Sequence, residues 1–223
     1  AYPDGYGYWH YGTTYNVMLL AALETLYGND FGLSAIPGFI KGGEYILHMV
    51  GPSCLPFNFG DSGSRMRLNT SLFWFARKTK NPALLRNECK LLLEIPNYDY
   101  EQYRRMLPSI FVLGKDINLA NLPKPKVDMF AAKNEAPVCL MRSSWKEDAI
   151  YVGIKGGKAS ANTHTHLDAG SFVMDAQGVR WAVDLGPQEY NSLESKGIAL
   201  WDNRANGQRW KVFQYNNFAH NVF

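Results

Sequence analysis

Asn118-Leu-Ala-Asn-Leu-Pro-Lys-Pro-Lys126 divides this chain of 223 residues. Pro123 and Pro125 each lack a backbone donor and no apolar period runs through the stretch, so neither a helix nor an inner strand crosses it. It reads as a linker, and the pattern changes at it. Upstream, Val17, Leu19, Leu20, Leu23 and Leu26 predict a mostly buried helix from about 13 to 27, stopped by Gly28-Asn29. Apolar patterns predict further helices at 37–49, 69–78, 82–94 and 99–107. Downstream, runs at 137–142, 149–154, 171–176 and 179–185 have strand length and are separated by Gly, Ser, Asn or Asp. Helices followed by strands, without βαβ alternation, define an α+β chain with two segregated parts: a helical 1–117 and a β-rich 127–223.

Composition narrows the class. With 46% hydrophobic and 19% charged residues the chain is not a disordered segment, and 14% aromatic is enough to reserve rings for stacking on a ligand. The net charge of +3 argues against a nucleic-acid module while allowing a local patch for an anionic ligand. No apolar run is long enough to span a membrane. Cys54, Cys89 and Cys139 lie far apart, without the spacing of a cysteine zinc site or a disulfide framework. The chain starts without Met and ends at Phe223 in a strand-like run, so it reads as a fragment in which a missing targeting segment carries no weight. A homodimer is allowed.

One hairpin can be read closely. A two-residue turn at Gln177-Gly178 sets Ala176 opposite Val179, Met174 opposite Trp181 and Phe172 opposite Val183, giving one apolar face. The same register sets Asp175 opposite Arg180 and leaves Asp184 at the open end, close to the segment Thr163-His-Thr-His-Leu-Asp168.

That segment holds two of the five histidines, and a third, His220, follows near the end. Two imidazoles and a carboxylate suit zinc when cysteine is absent, which makes His166, Asp184 and His220 candidate ligands. A hydrogen-bonded His166–Asp184 pair with an unrelated His220 accounts for the spacing equally well. His164, two residues away, is a third ligand or, if the loop bends, a free acid or base. At the other end of the chain, Tyr2, Tyr6, Tyr8, Trp9, Tyr11 and Tyr15 crowd ahead of the first helix. Tyr8, Tyr11 and Tyr15 share one face at helical spacing, which suits sugar stacking with a phenol as base, or an aromatic staple at a domain edge.

These residues resemble the heparinase II/III-like polysaccharide lyases. The stretch from His164 through His166-Leu-Asp168 and the hairpin to Asp184-Leu-Gly186 looks most like the heparinase II branch. Pro3-Asp-Gly-Tyr-Gly-Tyr-Trp-His-Tyr-Gly12 resembles the family's Tyr-Trp-x-Tyr-Gly segment, with Asp4 where Glu is more common, and Phe218-Ala-His-Asn221 is similar to its His-Asn metal-ligand strand. The resemblance implies a partial α/α toroid followed by an antiparallel β-sandwich, with the substrate cleft between them. It implies a structural zinc on His166, Asp184 and His220, His164 as a catalytic histidine, and Tyr8 as catalytic tyrosine with Tyr11 the fallback. Trp9 and Tyr15 become substrate-binding candidates. The family's upstream Asn or His, which neutralises the uronate carboxylate, lies before this chain begins, so the fragment alone is expected to lack activity.

The implied reaction is β-elimination on an anionic polysaccharide of the heparin or heparan sulfate type: a base takes the C5 proton of a uronic acid and the C4–oxygen bond breaks. Tyr8 and His164, acting on opposite sugar faces, would accept both uronate epimers. Arg204 and Arg209, with Lys155 and Lys158, are candidates for holding sulfate. An alginate lyase, a zinc hydrolase and a non-catalytic carbohydrate-binding module are the rival readings, and a periplasmic or secreted location follows from the resemblance.

Overall fold

The computed structural model describes residues 4–94, 105–133, 135–158 and 164–222. The chain forms two compact units interleaved in sequence: Ala1–Tyr8, His48–Met66 and Val127–Phe223 make one, Trp9–Leu47 and Arg67–Lys126 the other. The second ends where the proline linker ends. The first takes two segments from the helical half, which no composition change marks.

Helix α1 (Gly5–Tyr27) ends before Gly28, as the stop signal predicts, but begins eight residues earlier than expected. Glycines and aromatics weaken the helix signal there. Burial of Tyr6, Trp9, Thr13, Val17 and Leu20 along one stripe supplies what propensity lacks. α2 (Gly42–His48), α3 (Ser71–Lys78), α4 (Arg86–Glu94) and α5 (Ser109–Leu113) follow. The expected helix at 99–107 falls mostly outside the described residues, and α5 was not expected. In the helical unit, α3 buries Leu72 through Ala76 on all sides. Glu24 on α1 accepts from Trp74 Nε1 at 2.9 Å and from Lys78 Nζ at 2.6 Å, which fixes α3 beside α1. A buried polar chain runs from His10 Nδ1 to Asn69 Oδ1 at 2.8 Å and from Asn69 Nδ2 to Glu88 Oε1 at 3.1 Å.

The other unit is built on one antiparallel meander, in the order β1 (Met129–Ala132), β2 (Val138–Arg142), β3 (Tyr151–Lys155), β4 (Phe172–Ala176), β5 (Val179–Ala182). β2 to β5 match the expected runs, with β5 shorter. Among the described residues there is one sheet. Its buried face carries Val138, Leu140, Tyr151, Lys155, Val173 and Asp175. Segment 48–66 lies over that face. Arg142 Nη2 donates to the Val50 carbonyl at 2.9 Å, Asp175 accepts from Ser53 N and Oγ at 3.0 and 2.6 Å, and the Phe57 ring stands 2.8 Å from where a Cβ on Gly153 would be.

The hairpin turns at Gln177 (φ 53°) and Gly178 (φ 74°), two left-handed residues whose twist suits paired strands. Asp175 faces Arg180 and Ala176 faces Val179, as the two-residue turn predicts. Beyond them the expected register fails, because a bulge sets Met174 opposite Ala182 instead of Trp181. Arg180 turns inward to Asp175 and donates to the Leu55 and Pro56 carbonyls, while Trp181, the extra residue, lies outward like Val179, 67% exposed. Past β5 come α6 (Tyr190–Glu194) and three 3₁₀ turns, which close a small core of Leu193, Leu200, Trp210, Val212 and Tyr215.

Candidate functional site

The site lies within the sheet unit, where the loop ahead of β4 meets segment 58–62. Asp61 N donates to the His164 carbonyl at 2.9 Å, and Gly60 N donates to Asp168 Oδ2 at 3.0 Å. Gly60 has φ +60°, and a Cβ there would stand 2.8 Å from the His164 carbonyl oxygen, so glycine answers both the backbone and the space. Asp168 is also paired with Lys155 on β3, both buried. The loop bearing the histidines is thus tied to the sheet and to segment 58–62.

His164 and His166 face different neighbours. The His164 ring stacks on Tyr8, with centroids 4.2 Å apart and planes 24° apart, and Trp201 meets it edge-on at 5.9 Å. Its Nδ1 lies 3.6 Å from Asp4 Oδ1. Tyr8 Oη is 3.2 Å from Tyr190 Oη, which donates to Asp61 Oδ2 at 2.6 Å. Asp61 also bonds His166 Nε2 at 2.8 Å and takes Arg209 Nη2 on both oxygens at 3.0 Å. One surface-facing pair, Tyr8 and His164, therefore stands over a half-buried Tyr190 and the buried Asp61, His166 and Arg209.

Charge sets the protons in this group. Burial pushes Asp61 up, but the hydrogen bonds from His166 and Tyr190 and the Arg209 charge outweigh it and hold the carboxyl below its ordinary range. Tyr190 is pushed far up, first by burial and then by its bond to Asp61. Burial also raises Tyr8, against the Tyr190 hydrogen bond, which lowers it. Both phenols hold their protons in neutral solution.

His166 Nδ1 and His220 Nε2 are buried without a hydrogen-bond partner, and the two rings lie 5.2 Å apart. Each ring's other nitrogen meets a carboxylate at 2.8 Å, Asp61 for His166 and Asp184 for His220. Carboxylates in that position fix the tautomer of a metal-binding imidazole. Two nitrogens thus suit a zinc ion. Asp184 stands behind His220, and its other oxygen accepts from Gly186 N at 2.9 Å. Among the described residues no group of three His, Cys, Asp or Glu is set to hold a metal. Asn221 places His220 by donating from its side chain to the Phe172 and Val183 carbonyls at 3.1 and 3.0 Å.

The other expected site residues fall elsewhere. Arg209 is completely buried, donating to Asp61 and to the Thr165 carbonyl with its cation over Tyr215, so it supports the histidine loop and has no face for a polymer. Lys155 is likewise spent on Asp168. Trp9 is buried in the helical unit beside Phe75, which corrects its reading as a substrate contact. Tyr11 and Tyr15 are exposed in that unit and meet edge to face at 5.3 Å. Arg204 is exposed and paired with Asp202 at 2.7 Å. Lys158 is exposed. Tyr2 and Thr163 lie outside the described residues.

Sequence reading missed Asp61, Tyr190 and Trp201. The one local signal at Asp61 is its setting in Phe59-Gly-Asp-Ser-Gly63, a glycine-flanked acid in a tight turn; Tyr190 and Trp201 carry none.

Fold and site define an α+β protein whose sheet-bearing unit brings a tyrosine from α1 and a histidine from the loop ahead of β4 together over a buried acid. Residues 140–222 match the family Heparinase II/III-like, C-terminal, and the resemblance read from the histidine loop and hairpin is borne out there. No curated relative matches the sequence. The heparan sulfate lyase HepC from Pedobacter heparinus is similar in fold, with a TM-score of 0.59 and 15% identity over 87% of this chain. A mutant of the same lyase gives 0.59 and 16%. The chain spans 27% of that lyase's length. No helix among the described residues is long and apolar enough to cross a membrane.

Proposed function

We propose that this chain supplies the tyrosine–histidine centre of a polysaccharide lyase that cleaves uronic-acid-containing glycosaminoglycans of the heparan sulfate kind by β-elimination, in the periplasm or outside the cell. The observation that carries the reading is the Tyr8–His164 stack at 4.2 Å, beside the exposed Trp201 and over the Tyr190–Asp61 pair. The family match and the fold of the heparan sulfate lyase support it.

Elimination needs a base at C5 and an acid at the departing oxygen. Tyr8, raised by burial, keeps its proton and suits the acid; His164, carrying a ring nitrogen beside it, suits the base. Rings in stacking contact leave no width for a sugar between them, so the geometry favours this division of labour over two bases on opposite sugar faces. Trp201, 44% exposed, offers a ring for sugar stacking, and Arg204 and Lys158 remain as sulfate contacts. A zinc ion would sit on His166 and His220, with Asp184 as third ligand if its carboxylate turns from His220, and would supply a rigid support. His166 and His220 then hold the loop that presents His164.

The full-length polypeptide carrying this chain should release product with the ultraviolet absorbance of a C4–C5 double bond from heparan sulfate, with alginate as the comparison polymer. Tyr8→Phe and His164→Ala should each lower kcat by about 10²- to 10⁴-fold. Wild-type rates in both variants would refute the assignment.

A further inference from the structure

The geometry points to Tyr190 as a positioning residue that allows Tyr8 to give up its proton, by turning its own hydroxyl hydrogen onto the phenolate oxygen that Tyr8 becomes. This rests on the lyase reading. Tyr190 has one hydroxyl hydrogen, and it goes to Asp61 Oδ2 at 2.6 Å; at the 3.2 Å contact between the phenols, Tyr8 is therefore the donor at rest. Once Tyr8 is an anion, the Tyr190 hydrogen has two acceptors. Asp61 already takes Arg209 on both oxygens and His166 on one, whereas among the described residues the phenolate gains a protein donor only if Tyr190 turns. Rotation about the Tyr190 C–O bond is the whole movement.

The covalent changes balance. The Tyr8 O–H bond breaks as the departing oxygen gains that proton; the C5–H bond breaks onto the base; the C4–O bond breaks and C4=C5 forms. The base returns its proton through solvent to Tyr8.

The two phenols are not equivalent, which fixes which one ionises. Asp61 touches Tyr190, and burial together with that bond keeps the Tyr190 hydrogen in place. Tyr8 is raised by burial, drawn down by its Tyr190 bond, pushed up by the Asp61 and Asp4 charges and drawn down by Arg209, with His164 stacked on its ring. Tyr190 is also held: it opens α6, where the Glu189 side chain accepts from Ser192 N at 3.0 Å, and its ring meets Trp201 edge-on at 5.1 Å.

The test is Tyr190→Phe in the full-length protein. A hydrogen bond to a charged oxygen is lost, so kcat should fall about 10- to 100-fold with KM within about twofold. The alkaline limb of the kcat profile should move to higher pH, and a uronoside with an acidic leaving group at O4 should recover most of the rate. Isotope-labelled tyrosine followed by NMR should show Tyr8 titrating at higher pH in the variant, a readout that does not depend on turnover. Should Tyr190→Phe fail to fold, meta-fluorotyrosine at position 190, which keeps the packing and donates more strongly, should move the Tyr8 titration to lower pH. An active wild type with unchanged kcat and an unmoved Tyr8 titration in the variant overturns the role of Tyr190. A wild type that forms no unsaturated product overturns the lyase reading instead, while the Tyr8 titration still decides the hydrogen bond.

Discussion

Asp61 is the residue on which the others meet. It fixes His166 and Tyr190, neutralises Arg209, and through its backbone N–H holds the His164 carbonyl. Removing the cation leaves the buried Asp61 carboxylate without the guanidinium that meets both its oxygens. Arg209→Met is therefore expected to cost about 3–5 kcal/mol in urea unfolding, and a loss below about 1 kcal/mol would show that the pair does not hold the loop. In the helical unit, burial pushes the fully enclosed Glu88 carboxyl up to about 7, against the hydrogen bond from Asn69. Between about pH 4.5 and about pH 7 the folded chain keeps a proton that the unfolded chain has lost, so stability falls as pH rises through that window, by about 3 kcal/mol. Glu88→Gln keeps the Asn69 acceptor and removes the titration. Urea midpoints should then be nearly equal at about pH 5 and about pH 8, with the variant above wild type at the higher pH; parallel curves for the two proteins would contradict the assignment. Neither residue was legible as a site from the sequence, because Asp61 finds His166 across 105 residues and an isolated Glu in a helical pattern reads as surface.

At the scale of elements, strong local signals were legible and tertiary ones were not. Gly28-Asn29 stops α1 and Gln177-Gly178 turns the hairpin, since both are fixed by backbone conformation alone. The early start of α1 and the bulge in β5 come from packing: a buried stripe in one, Arg180 reaching Asp175 and two carbonyls in the other. His164 stands out in the sequence because the motif that carries it is long, and His220 through the four residues Phe218-Ala-His-Asn221 alone, whereas the segment carrying Asp61 is recognisable only once it lies over the sheet. Gly60 tests that segment. Gly60→Ala forces a side chain into the left-handed region and against the His164 carbonyl, and should destabilise by about 1–3 kcal/mol while lowering kcat more than KM is raised. Unaltered unfolding and kinetics would mean that the turn does not aim His164.

For the whole molecule, the second unit ends at Lys126, where the composition changes at the proline linker, but nothing in the sequence marks the lending of residues 48–66 to the sheet unit, because it is a property of contact and not of composition. The interleaving places Tyr8 and Asp61, from the helical half of the sequence, in the unit that carries His164. If His166 and His220 share a zinc ion, the purified protein should contain close to one equivalent by elemental analysis. Chelation should lower its unfolding temperature by several degrees, and His220→Ala should abolish both the metal and the shift. A metal-free protein with the same unfolding temperature would leave the two imidazoles as a hydrogen-bonded support. The chemistry itself is tested most directly by digesting heparan sulfate with the full-length protein in oxygen-18 water and weighing the fragments. Elimination predicts unsaturated ends one water lighter than hydrolysis gives and no heavy oxygen at the cleaved bond; one heavy oxygen per cleavage would contradict it.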